Sequence, residues 1–217
     1  TRLAPDLSLA LGSSSFSPAE MIRAYNFLAN AGEGTDLYFI EKITDRNNEV
    51  IFQHSGSIEQ LNSMPNTRGF PWFAGDLVED IKPFLLLPEL EIDKRSIDPG
   101  VAFLTKDILR EALSRGSNGR KTEVLKRSDI AGKTGTTNDA ISTWFSGFHK
   151  DLSATVWVGT DDFSSLGNNE FGSSIALPIW IDFMSIALAD LPEDLWRAPP
   201  GISYIKVNRK TGKRTET

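Results

Sequence analysis

The sequence predicts a mixed α/β (α+β) fold, and three observations predict it. Two helix starts carry the same pairing of a capping residue and a proline, Ser17-Pro18 and Asp98-Pro99, each followed by apolar residues at helical spacing. Three β-prone segments follow one another between Asp129 and Thr160 with only short breaks, which makes them antiparallel neighbours. The 217 residues are 40% hydrophobic, enough to fill a substantial core.

In order along the chain, Ser17 caps the first helix, Pro18 suits its first position and Glu20 stands where a capping box places its acid. Met21, Ala24, Tyr25 and Leu28 give it one apolar face, and Gly32 supplies the stop. Residues 37–44 and 49–53 are β-prone and flank Asp45-Arg46-Asn47-Asn48, the composition of a hairpin turn. Over 55–98, Pro65, Pro71, Pro83 and Pro88 interrupt any long element, so the stretch reads as an irregular insert, with Phe70-Pro71-Trp72-Phe73 as its local packing ahead of a partner-binding or lid surface. Asp98 caps the second helix, whose apolar positions are Val101, Leu104, Ile108 and Ala112, ending at Gly116. Arg115-Gly116-Ser117-Asn118-Gly119-Arg120 reads as a flexible basic turn, either merely exposed or able to bind an anion. Strands are expected over 129–137, 143–150 and 153–160, the last two joined at Lys150-Asp151. A closing helix over 174–189 has Ile175, Ile179, Phe183 and Ile186 on one face and tolerates Pro178 in its first turn. After Pro199-Pro200-Gly201 a last strand is expected over 202–207, and 208–217 is a solvated basic tail.

Composition removes several function classes. With 23 basic against 29 acidic residues, a net of −6, the chain has no general attraction for nucleic acid or anionic lipid. The absence of cysteine excludes a thiolate zinc site, an iron–sulfur cluster, a cysteine nucleophile and disulfides. His54 and His149 are the only histidines, too few for a three-histidine metal site, and both read as ordinary surface or strand residues. No metal ligand is assigned and no cofactor is called for. No apolar run approaches the roughly 20 residues that cross a bilayer. The start at Thr1 without Met reads as a fragment or a processed form.

Gly132-Lys133-Thr134 invites a phosphate-loop reading, but Arg127 stands where that pattern needs glycine, and a strand leads into the motif with no helix after it. On a strand, Lys133-Thr134-Gly135-Thr136 places Lys133 and Gly135 on one face and both threonines on the other. Two hydroxyls in line can hold a carboxylate, each charge-assisted bond contributing roughly 1.5–3 kcal/mol. Lys133 adds positive charge, Gly135 allows close approach, and the Thr136 amide can serve as an oxyanion donor. Valine at position 136 is expected to weaken carboxylate capture with little effect on folding, because the position lines an open edge.

The surroundings of this motif carry a resemblance. Residues 127–138, Arg-Ser-Asp-Ile-Ala-Gly-Lys-Thr-Gly-Thr-Thr-Asn, are followed by Trp144-Phe145-Ser146-Gly147-Phe148, by Val156-Trp157-Val158-Gly159 and by Ala176-Leu177-Pro178-Ile179-Trp180. Together with Leu9-Ala10-Leu11-Gly12 and Phe16-Ser17-Pro18 they resemble the transpeptidase domain of class A penicillin-binding proteins, over about residues 7–207. The resemblance implies a β-lactamase/transpeptidase-like fold, a central antiparallel sheet flanked by helices, of which residues 1–207 are the C-terminal portion. It implies serine acyl transfer from the D-Ala-D-Ala end of a peptidoglycan stem peptide, and acylation of the same serine by β-lactam antibiotics. Lys133 and Thr136 would be catalytic, and Thr134, Gly135, Thr136, Thr137 and Asn138 would bind substrate. The resemblance further implies the periplasmic face of the bacterial inner membrane, anchored by a segment outside this chain and preceded by a glycosyltransferase domain.

Two of the family's motifs are missing from these residues. The one Ser-x-x-Lys, Ser203-Tyr204-Ile205-Lys206, follows the Lys-Thr-Gly motif on a terminal strand, and there is no Ser-x-Asn. The nucleophile is therefore assigned to an upstream segment of the same protein and to none of these residues. Ser142-Thr143 also stand before Trp144 where the family often has Asp-Ala; Trp144 and Trp157 read as strand packing. Two other readings share the fold. One is a non-catalytic module that binds cell-wall peptide or a partner protein; the other, a β-lactamase, needs a base for its hydrolytic water, and no residue of this sequence is identified as that base.

Overall fold

The computed structural model describes residues 7, 9, 12, 14–35, 37–53, 97–116, 119–208 and 210–215. The chain divides into two units, Thr1–Gly34 with Ser96–Thr217, and Thr35–Arg95. In the second unit the described structure is a hairpin of β1 (Lys42–Thr44) and β2 (Val50–Gln53), paired antiparallel with Ile43 opposite Phe52. The turn forms because the Asp45 carboxylate accepts the amides of Asn47 and Glu49, each at 2.8 Å, while Asn48 takes a left-handed φ of 65°. The first strand is shorter than the expected 37–44. Most of the insert, with His54 and the Phe70–Phe73 cluster, lies outside the described residues.

In the first unit both helix starts follow from side chains. Ser17 caps α1 (Pro18–Ala29): its hydroxyl accepts the Glu20 amide at 3.2 Å, and the Glu20 carboxylate accepts the Ser17 amide at 2.8 Å. Asp98 caps α2 (Pro99–Arg115) by accepting the amides of Gly100 and Val101. A short helix, α3 (Gly119–Thr122), and a 3-10 turn (Glu123–Leu125) replace the expected exposed basic turn. Then come β3 (Ala131–Thr136), β4 (Ser142–Phe148), β5 (Ser153–Gly159) and α4 (Ala176–Ala187).

The three strands form one antiparallel sheet in the order β3-β4-β5, with Thr134 opposite Phe145 and Phe145 opposite Val156. Helix α4 packs on one face and α1 and α2 on the other, as expected of a sheet flanked by helices. The core on the α4 side gathers Phe145, Ala176, Leu177, Trp180, Ile181, Met184 and Leu188, closed at one end by Leu113 and Ile130. Phe145 and Trp180 sit with ring centroids 4.8 Å apart.

Both long helices bury a face other than the expected one. In α4 the buried stripe is Ala176, Leu177, Trp180, Ile181 and Met184, while Ile179, Phe183 and Ile186 are exposed beside Asp182 and Ser185; large apolar residues on both faces blur the periodicity. In α2 the buried residues are Ala102, Phe103, Lys106 and Leu113, while Val101, Leu104, Ile108 and Ala112 are exposed. A lysine in the buried stripe disguised it. The Lys106 ammonium lies over the rings of Trp196 (5.0 Å) and Phe103 (6.0 Å), and burial pushes its pKa down. In α1, Met21, Tyr25 and Leu28 are half-buried and Ala24 is exposed.

His149 corrects another expectation, because it is fully buried just after β4. The Asp151 amide donates to its Nδ1 at 3.2 Å, which places the ring proton on Nε2, 3.1 Å from Asp129 Oδ2. Asp129, also fully buried, accepts both Nε (2.8 Å) and Nη2 (2.7 Å) of Arg127 and the Asp194 amide (2.8 Å). Burial pushes its pKa up, but the Arg127 hydrogen bond, the Asp194 amide and the Arg127 charge outweigh it, leaving the carboxyl below its ordinary value. Beyond α4 the chain runs over this network and along α2, where Tyr204 meets Phe103 edge-on. Among the described residues, 202–206 have no strand partner, and the expected last strand reduces to one bridge, Val207 to Arg214, within an exposed tail.

Asp129→Ala leaves Arg127 and His149 without their shared acceptor, and the protein is expected to lose about 3–5 kcal/mol, read as a lower melting temperature. Because the folded pKa of Asp129 is depressed, its stabilisation is complete above the unfolded value of about 3.9 and is lost as pH falls through the lower folded value. The melting difference between wild type and Asp129→Asn should therefore shrink as the pH drops below about 4. A difference independent of pH between 3 and 6 would contradict this assignment.

Candidate functional site

β3 is paired on one side only among the described residues. The Thr137 amide donates to the Ser142 carbonyl at 3.1 Å, continuing the register in which Thr136 faces Thr143. In an antiparallel ladder, hydrogen-bonded and non-bonded pairs alternate. Ala131, Lys133, Gly135 and Thr137 therefore bond to β4, while the backbone groups of Gly132, Thr134 and Thr136 point to the open edge. The Thr136 N–H is thus directed away from the sheet.

The side chains alternate as the sequence predicts. Gly132, Thr134 and Thr136 lie on the face shared with Phe145 and α4; Lys133 and Gly135 lie on the face shared with Trp144. Lys133 and Thr136 are exposed, Thr134 and Gly135 half-buried. Lys133 reaches over the free edge, its Nζ donating to the outward carbonyl of Thr134 at 3.1 Å. Trp144 packs against Trp157 with centroids 6.2 Å apart, as strand packing.

Thr136 is held from the α4 side by the loop that leads into that helix. The Gly172 amide donates to Thr136 Oγ1 at 3.0 Å. A hydroxyl that accepts from the protein keeps its own proton to donate outward. Gly172 lies so close to β3 and β4 that a Cβ would stand 2.5 Å from the Trp144 carbonyl oxygen and 2.6 Å from that of Gly135. The loop is fixed by Lys121, whose Nζ donates to Ser173 O at 2.6 Å, and by Ser174, whose hydroxyl accepts the Phe171 amide at 2.8 Å. Valine at 136 would therefore also strip the buried Gly172 amide of its acceptor, so the expectation of little effect on folding is corrected.

Past β3 the chain turns through Asp139 (φ 59°) and Ala140 (φ 51°), left-handed conformations that side chains rarely adopt. The Ser165 hydroxyl donates to Asp139 O at 2.6 Å and the Leu166 amide to Ala140 O at 2.9 Å, holding this turn. Thr137 closes the same turn, its Oγ1 accepting the Ser142 amide at 2.8 Å, and Asn138 is exposed beside it. The arrangement brings together an ammonium, a hydroxyl proton and an outward amide along one edge, a set of donors suited to an anionic group. Sequence reasoning missed the Gly172 loop: Phe171-Gly172-Ser173-Ser174 is legible as a turn, but its contact with Thr136, 36 residues away, is not.

With this geometry established, comparison with known proteins defines a class. The family model described as penicillin binding protein transpeptidase domain matches residues 5–185, and the chain belongs to that family. Among curated relatives it is 34% identical to penicillin-binding protein 1A of Pseudomonas aeruginosa over 223 residues, covering 96% of this chain and 27% of that protein. It is 33% identical over 208 residues to penicillin-binding protein 1A of Aquifex aeolicus, covering 96% of this chain and 24% of that protein. The crystal structure of penicillin-binding protein 1A from Haemophilus influenzae superposes with a TM-score of 0.72 at 33% identity, covering 97% of this chain and 32% of that one. The chain thus spans about a quarter to a third of the relatives it matches.

Gly172→Ala is expected to push the loop off the strand and cost about 1–3 kcal/mol, measured by denaturant unfolding. Unchanged stability would mean the loop adapts and does not hold Thr136.

Proposed function

We propose that this chain is the C-terminal portion, residues 1–207 with an insert near 55–98, of a serine D,D-transpeptidase that cross-links peptidoglycan stem peptides and is acylated by β-lactams. The single observation that carries the reading is the open β3 edge with an outward Thr136 amide, an exposed Lys133 and a Thr136 hydroxyl free to donate. Membership of the transpeptidase family supports it. An upstream segment of the complete protein supplies the Ser-x-x-Lys nucleophile and the Ser-x-Asn motif.

In the acyl transfer, the serine oxygen attacks the carbonyl of the penultimate D-Ala, and the developing oxyanion is met by the Thr136 N–H. The C–N bond breaks, D-Ala leaves with a proton, and a serine ester remains. An amine of a neighbouring stem then attacks the ester, the C–O bond breaks, and the serine regains its proton. Thr134 and Thr136 hold the terminal carboxylate, Lys133 stabilises negative charge and assists proton transfer, and Gly135, Thr137 and Asn138 shape the end of the groove. In a β-lactam the ring amide takes the place of the D-Ala-D-Ala bond, and the opened ring stays on the serine. The protein works at the periplasmic face of the inner membrane, held there by a segment outside this chain; no helix among the described residues is long and apolar enough to cross a membrane.

Incubation with a fluorescent penicillin tests the reading. The complete protein is expected to take covalent label and the isolated chain none; label on the isolated chain would refute an upstream nucleophile. A complete protein that takes no label would point to the non-catalytic module. In the complete protein Thr136→Val should slow acylation about tenfold or more, whereas Thr136→Ser, which keeps both hydroxyl bonds, should retain most of the rate. Equal rates for the two variants would exclude the Thr136 hydroxyl from carboxylate binding.

A further inference from the structure

The family match ends at residue 185, yet the segment that follows makes a run of polar contacts to the residues just before β3 and just after β4. Arg127 donates Nη1 to the carbonyls of Leu188 (3.2 Å) and Leu191 (2.8 Å) and Nη2 to that of Pro192 (3.1 Å). Ser128 donates its hydroxyl to Glu193 Oε1 at 2.7 Å, and its amide donates to the same oxygen. The Asp194 amide donates to buried Asp129, and the Asp194 carboxylate pairs with Lys150 at 2.8 Å, just past the end of β4. Trp196 then packs on Phe148, the residue opposite Ala131 at the start of the β3–β4 ladder. Three consecutive residues shortly before β3 are thus each tied to the post-helical segment, and the end of β4 is tied to it twice.

We propose that residues 188–196 are a clamp on the Lys133–Thr136 strand, with Arg127, Asp129 and Glu193 as positioning residues that fix where Lys133 and Thr136 stand. Rigid placement is needed because, among the described residues, β3 has a strand on one side only, which leaves the end where it begins without a second strand to hold it. The network supplies the missing restraint. Asp129 sits in the bend that leads into β3, two residues before the strand begins and four before Lys133, so a shift at Asp129 is passed into the strand toward the lysine and the outward amide. Misplacement of catalytic groups by about 1 Å costs up to a hundredfold in rate. The clamp deepens the transpeptidase reading and, for its kinetic part, rests on it.

The test uses the complete protein with Glu193→Ala, Asp194→Pro and Glu193→Gln, read by amide hydrogen exchange and by the acylation rate at saturating fluorescent penicillin. Glu193→Ala and Asp194→Pro should raise exchange at the Lys133 and Gly135 amides, which bond to β4, about tenfold, and leave the Phe145 and Gly147 amides, which bond to β5, unchanged. Acylation should fall about tenfold in both, while Glu193→Gln, which keeps an oxygen for Ser128, stays within about twofold of wild type. Exchange that is unchanged, or raised equally in β3 and in the β4–β5 ladder, overturns the clamp and leaves the segment a general stabiliser. Should wild type take no label, the transpeptidase reading fails, and the exchange pattern alone decides the clamp.

Discussion

Everything at the candidate site depends on β3 being hydrogen-bonded, among the described residues, on one side only. An unpaired edge exposes backbone donors and acceptors, which is normally a liability. In this protein the exposed groups are the ones a peptide-like ligand would engage, and the chain blunts the edge with a charged side chain, Lys133, lying over the Thr134 carbonyl. The edge therefore stays open to a small anionic group while being unfavourable for pairing with another strand.

An edge strand used in this way must be fixed by something other than a neighbouring strand. Two devices act at its two ends. At the start, buried Asp129 gathers donors from Arg127, His149 and Asp194, so that a charge costly to bury is satisfied on all sides. At the far end, the Gly172 loop grips Thr136, and the Ser165–Leu166 segment holds the turn in which Asp139 and Ala140 are left-handed. The strand's middle, between these anchors, carries the lysine and the glycine.

Much of this was legible in the sequence, for local reasons. Capping pairs, the Asp45–Asn48 turn and the strand periodicity of 131–136 act within a few residues, and each element appears where those signals put it. The inward faces of α2 and α4 were not legible, because α4 carries large apolar residues on both faces and α2 shields a lysine under Phe103 and Trp196. Nor was the Asp129 network, whose partners stand 20 and 65 residues away and whose histidine has an unremarkable sequence setting. The threonine pair and the lysine were readable as a pattern; the loop that orients Thr136 was visible only once the chain was folded.

The close approach of Gly172 to Gly135 limits how this protein can vary under selection. A single added carbon at position 172 collides with two carbonyl oxygens of the sheet, and one at 135 presses on Trp144. Enlarging Gly172 would unseat the loop, whereas enlarging Gly135 asks only Trp144, on the other face, to give way. The backbone contact at position 172 therefore leaves room for no side chain larger than hydrogen there without moving the sheet or the loop.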